Sequence, residues 1–91
     1  MNKELLFQDS AWDDYLYWQN KDKKVLTRIN TLIKEISRQP FAGIGKPEPL
    51  RYGLTGYWSR RISETDRLVY KIDEETNTIY IIGCKGHYED M

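Results

Sequence analysis

Between residues 25 and 36, Val25, Leu26, Ile29, Leu32, Ile33 and Ile36 recur at i, i+1, i+4, i+7, i+8 and i+11. That is the period of one face of an α-helix, and no strand can use it. Lys21, Lys24 and Arg28 fall on the polar side. The spacing predicts an amphipathic helix of about 16 residues, capped by Asp22 and ended before Pro40. A helix with one apolar face must bury it against another layer. The rest of the chain has to supply that layer.

Three later stretches can do so. Tyr57–Ser63 alternates, with Trp58, Arg60 and Ile62 on one side and Tyr57, Ser59, Arg61 and Ser63 on the other. Arg67–Ile72 sets Leu68, Tyr70 and Ile72 against Arg67, Val69 and Lys71. Thr78–Cys84 is rich in isoleucine. This alternation is the strand period, and the short polar turns at 64–66 and 73–77 predict an antiparallel meander. Lys3–Gln8 reads as a further short strand. A first helix follows it, capped by Asp9 or Ser10, with Ser10 and Asp13 close to a capping box. In that helix Trp12, Tyr15, Leu16 and Gln19 share a face that is expected to join the core. The fold class is therefore α+β. Two N-terminal helices pack on a twisted antiparallel sheet in the order β-α-α-β-β-β. The connection 41–56 holds four of the six glycines and two of the three prolines, and contains at most a short strand.

Ninety-one residues make one domain. No apolar run is long enough to span a membrane, and the start has too short an apolar patch for a signal peptide. The single Cys84 cannot form an internal disulfide, and with a single histidine it argues against a structural zinc site. A cytoplasmic protein is expected. The net charge is zero, but it is segregated: −3 over residues 1–20, +7 over 21–71 and −4 over 72–91. A basic middle suits a polyanion, and the arginines after Trp58 are read that way. Over 21–38 the lysines read as a solvated helix face.

Few residues look built for chemistry. Glu48 stands between Pro47 and Pro49, which stiffen its backbone toward an extended form. Such a segment either holds an acid–base group or is simply a loop. Arg61 and Arg67 lie on consecutive predicted strands and can share one sheet face. Their forked donors suit a phosphate, or they are merely solvated. His87 follows the last strand; histidine changes charge near neutral pH, yet the position also fits a chain end. A carboxylate, arginines and a histidine together can cleave RNA without a metal or cofactor.

Longer blocks carry a resemblance. Residues 10–19 (SAWDDYLYWQ), 40–50 (PFAGIGKPEPL), 57–62 (YWSRRI), 67–70 (RLVY) and His87-Tyr88 resemble the YoeB toxins of bacterial type II toxin–antitoxin systems, in the RelE/ParE-like superfamily. The resemblance spans nearly the whole chain and implies a single toxin domain over 1–91. It implies an endoribonuclease that cuts messenger RNA in the ribosomal A site and stops translation. Its implied partners are a YefM-like antitoxin, the 70S ribosome with its messenger RNA, and a second copy in a homodimer. By motif, Glu48 would be the general base, His87 the general acid and Arg67 the phosphate stabiliser, with Tyr88 positioning substrate or C-terminus. Lys46, Arg51, Arg60 and Arg61 are expected to bind RNA phosphates. Arg51 departs from the family's lysine, and Glu89-Asp90-Met91 extend past its usual His-Tyr end. A free carboxylate is a weak base for a hydroxyl, so positioning on the ribosome would supply much of the rate. Two other functions fit the same residues: a non-catalytic A-site blocker and a ParE-like gyrase poison.

Overall fold

The apolar period at 25–36 forms the helix it predicts. A computed structural model of the chain describes residues 3–87. In it α2 runs Lys23–Arg38 and buries Ile29, Leu32, Ile33 and Ile36. Asp22 caps it, accepting the Lys24 and Val25 N–H groups at 3.0 and 3.4 Å. The preceding helix, α1, runs Asp9–Lys21, so Asp22 alone separates the two. Tyr15 of α1 donates its hydroxyl to Asn30 Oδ1 of α2 at 2.7 Å.

α1 differs from expectation at its start and its buried face. Its N-cap position is Gln8, with no side-chain cap, and Ser10 and Asp13 both lie inside the helix. Strand pairing runs up to this point, since the Gln8 N–H donates to Ile81 O at 3.0 Å. The helix therefore starts at once. Its inward face carries Ala11, Tyr15 and Trp18, whereas Trp12 and Leu16 are exposed. Trp12 instead stacks on Tyr15 and meets Phe7 edge-on, with centroids 5.6 and 5.7 Å apart.

The sheet has five strands: β1 (Glu4–Phe7), β2 (Glu48–Pro49), β3 (Trp58–Arg61), β4 (Arg67–Asp73) and β5 (Thr78–Gly83), in the order β1-β5-β4-β3-β2. β2 is the short strand allowed for in the long connection. The meander β3-β4-β5 is antiparallel, as its turns predict. The sheet as a whole is mixed, because β1 pairs in parallel with β5. Short turns reveal only pairs that are adjacent in sequence, and this pair is not. The α+β class and the two-helix layer hold. α2, with Ala11 of α1, covers a sheet face made of Leu68, Tyr70, Ile79 and Ile81. The opposite face carries the candidate site.

Candidate functional site

Cross-strand register decides which residues share the face away from the helices. Directly paired residues project to the same side, and neighbours two apart on a strand follow them. Glu48 pairs with Ser59, Ser59 with Val69, and Arg61 with Arg67. Trp58 and Arg60 pair with Tyr70 and Leu68, which face the helices. Glu48, Ser59, Arg61, Arg67 and Val69 therefore lie on the face away from the helices. Glu48 sits two strands and two residues from Arg67, about 12 Å by strand spacing and rise.

Glu48 is exposed on the edge strand β2. The Leu50 N–H donates to Tyr57 O at 2.9 Å, so pairing with β3 continues past Pro49. Arg61 is exposed, and its backbone is fixed on both sides. Its N–H donates to Gly45 O at 2.7 Å, and its carbonyl accepts Arg28 Nη2 at 3.2 Å. Arg67 is only 9% exposed. Its Nη1 donates to Ser63 O, Glu64 O and Asp66 O at 2.7, 3.3 and 3.0 Å. Those bonds fold the β3–β4 turn around one guanidinium nitrogen and leave Nε and Nη2 uncommitted among the described residues. The Arg67 N–H donates to Gly86 O at 2.9 Å, which brings the residue before His87 against β4. His87 itself is half-buried. Lys46 and Arg51 are exposed on either side of β2. Tyr88 and the 89–91 extension lie outside the described residues.

Arg60 departs from the expected phosphate-binding set. It is 0% exposed. Nη1 donates to Ile44 O at 3.0 Å, Nη2 to Ala42 O at 2.8 Å and to Gln39 O, and Nε to the Tyr70 hydroxyl at 3.2 Å. Tyr70 in turn donates to Pro40 O at 2.6 Å. A buried guanidinium needs its donors satisfied, and here loop carbonyls do it. Arg60 is thus a strut that fastens the 39–44 loop to β3, and it has no surface to offer RNA. Gly45 completes the fastening at φ +84°, where a Cβ would stand 2.8 Å from Leu32 Cδ2 and 3.1 Å from Arg60 Cβ. Only glycine fits so close to the core in that conformation.

Sequence reasoning missed three features of this region. Lys71 Nζ lies between the rings of Tyr57 and Tyr80, 5.6 and 5.5 Å from their centroids, on the same face as Arg61. Alternation hinted at Tyr57 and Lys71, but Tyr80 required the β4–β5 register. Asp66 accepts the Gly86 N–H at 2.8 Å, a contact from a residue that had read as part of a polar turn. Asp14 and Trp18 of α1 both grip Cys84. The Cys84 N–H donates to Asp14 Oδ2 at 3.0 Å and Trp18 Nε1 donates to Cys84 O at 2.8 Å.

A carboxylate on an edge strand and two paired arginines share one sheet face of this α+β fold, and the residue before His87 is bonded to the backbone of the second arginine. The model of the YoeB-like toxin of bacterial type II toxin–antitoxin systems matches residues 7–88. Toxin YoeB of Synechocystis sp. is 54% identical over 86 residues, covering 94% of this chain and 98% of that one. Among solved structures, the YoeB/ParE toxin from Agrobacterium tumefaciens superposes with a TM-score of 0.91 at 45% identity, covering 93% of this chain and 99% of that chain. YoeB of Staphylococcus aureus, solved in a heterotetrameric complex with YefM, gives 0.87 at 47% identity, covering 97% and 100%; it is also known as a dimer. The chain belongs to the YoeB toxins of type II toxin–antitoxin systems, within the RelE/ParE-like superfamily.

Proposed function

We propose that the chain is a ribosome-dependent endoribonuclease that cleaves messenger RNA in the A site. The observation that carries this reading is the pairing of Arg61 with Arg67, while Gly86 O draws the residue before His87 onto Arg67. Two cations then sit side by side, His87 directly follows the residue bonded to Arg67, and Glu48 lies across the same face. Glu48 takes the proton of the 2′-hydroxyl, and the freed oxygen attacks the adjacent phosphorus. The bond to the 5′-oxygen breaks, and His87 protonates that oxygen as it leaves. Arg67, through Nε and Nη2, and Arg61 stabilise the charge that builds on the phosphate. The product strand ends in a 2′,3′-cyclic phosphate. Lys46 and Arg51 hold flanking phosphates, and Tyr88 helps position substrate. Tyr57, Lys71 and Tyr80 add a cationic, stackable surface for bases.

The S. aureus complex supports a YefM-like antitoxin as partner, and the S. aureus dimer supports a homodimer. No helix among the described residues is long and apolar enough to cross a membrane.

The test uses ribosomes programmed with messenger RNA, incubated with wild type, Glu48→Ala and His87→Ala, followed by mapping of RNA ends. Expected are A-site cuts with 2′,3′-cyclic or 3′-phosphate ends, reduced about 100-fold or more in both variants. Uncut RNA with blocked translation would show a ribosome blocker instead. Intact RNA with gyrase-linked DNA damage would show a gyrase poison.

A further inference from the structure

The β3–β4 turn and the segment after β5 meet at Gly86, and both of its backbone polar groups are taken there. Its N–H donates to Asp66 Oδ1 at 2.8 Å, and its carbonyl accepts the Arg67 N–H at 2.9 Å. Gly86 has φ +77°, a conformation that an L side chain rarely adopts. The bend that delivers His87 is therefore set by two successive residues, one of which carries the proposed phosphate guanidinium.

Asp66 is itself braced. Its Oδ2 accepts Ser63 Oγ at 3.0 Å and Thr65 Oγ1 at 3.1 Å, while its N–H donates to Ser63 Oγ at 3.1 Å. Its carbonyl accepts the Ile62 and Ser63 N–H groups at 3.0 and 3.2 Å. One carboxylate oxygen faces the turn and the other faces Gly86. A carboxylate held this way makes a short, charge-assisted bond to a backbone N–H and leaves Gly86 little freedom to rotate. Nothing in the proposed chemistry uses Asp66.

We propose that Asp66 is a positioning residue. It acts through the Gly86 N–H to fix the direction in which the chain carries His87 toward the phosphate held by Arg67. The proposal rests on the functional reading above, in which His87 is the acid. What matters in Asp66 is an acceptor at Oδ1.

The experiment measures single-turnover cleavage on programmed ribosomes for wild type, Asp66→Ala, Asp66→Asn and His87→Ala, as a function of toxin concentration. Gly86 amide exchange is followed by NMR in each. Asp66→Ala is expected to lower the maximal rate about 10- to 100-fold, the cost of misplacing a reacting group by about 1 Å. Its half-saturating concentration should move less than about twofold, since no residue assigned to bind RNA is replaced and the backbone carbonyls that hold Arg67 Nη1 remain. Gly86 amide protection should fall with the rate. Asp66→Asn keeps an oxygen for the Gly86 N–H and should restore most of both. If Asp66→Ala does not fold, Ser63→Ala, which removes the brace, is expected to give the same pattern more weakly. Wild-type cleavage by Asp66→Ala while His87→Ala is inactive would overturn the proposal alone. Equal inactivity of Asp66→Ala and Asp66→Asn would also overturn it, because an acceptor would not be what counts. Full activity of His87→Ala would remove the functional reading and the proposal together.

Discussion

Arg60 and Arg61 are adjacent in sequence, and their side chains leave β3 on opposite faces. The strand alternation already put Arg60 with Trp58 and Ile62, so its burial was legible. Charge alone suggested otherwise. What the sequence could not convey is the ring of carbonyls from Gln39, Ala42 and Ile44 that makes the burial tolerable. Removing a buried guanidinium leaves the carbonyls it bonded unsatisfied, at typically about 1–3 kcal/mol each. Arg60→Met should therefore lower unfolding free energy by about 3 kcal/mol, read as a fall in the urea midpoint. Arg61→Ala should change stability by less than about 0.5 kcal/mol, yet reduce cleavage at least about 10-fold if it grips the phosphate. The two variants separate scaffold from site within one dipeptide.

At the scale of elements, the contact that matters most for the site is α1 against the end of β5. Asp14 and Trp18 hold Cys84, and the residues leading to His87 start from there. Burial raises the Asp14 carboxyl above its ordinary value, against the Cys84 N–H and Lys85, which lower it. A carboxyl whose folded pKa is raised adds stability below its unfolded value near 3.8 and loses that contribution as pH climbs through the folded value. Asp14→Asn keeps an acceptor for Cys84 and removes this titration. Its melting temperature relative to wild type should rise as pH moves from 3 toward neutral, where wild type carries a desolvated charge. The Cys84 thiol is pushed up to about 12 by burial, then by the charges of Asp14 and Asp66. Iodoacetamide at pH 8 should leave Cys84 unmodified in the native protein and alkylate it after denaturation, read by mass. The α2 stripe of Ile29, Leu32, Ile33 and Ile36 was readable from period alone. The inward face of α1 was not, because Trp12 is large and apolar yet lies against Phe7 and Tyr15 beside the core.

For the whole molecule, the basic middle of the sequence supplies cations both to α2 and to the β2–β4 part of the sheet. Arg61 and Arg67 share the sheet face away from the helices, and Lys46 and Arg51 are exposed on either side of β2. If these four contact phosphates, the affinity for single-stranded RNA should fall with salt with a log–log slope of about −3. Arg61→Ala should reduce that slope by about 0.7, measured by fluorescence anisotropy across a salt series. The sequence carried the local half of this architecture: helices, the meander and the basic middle. It did not carry the parallel β1–β5 pair or the bond from Gly86 to Asp66, since each joins segments with no sequence neighbourhood in common.

The pairing of β1 with β5 has a consequence in time. Glu4 is matched with Thr78, and Lys3 reaches Asn77 across a separation of 74 residues. β1 has no partner until β5 has been made, and contacts this distant form slowly because the loop between them must close first. Both helices and the other three strands lie between β1 and β5 in the chain, so this pair is the last to close. The segment that brings His87 to Arg67 comes later still. The arrangement proposed for Arg67 and His87 therefore forms only once β5 and the residues that follow it have joined the sheet.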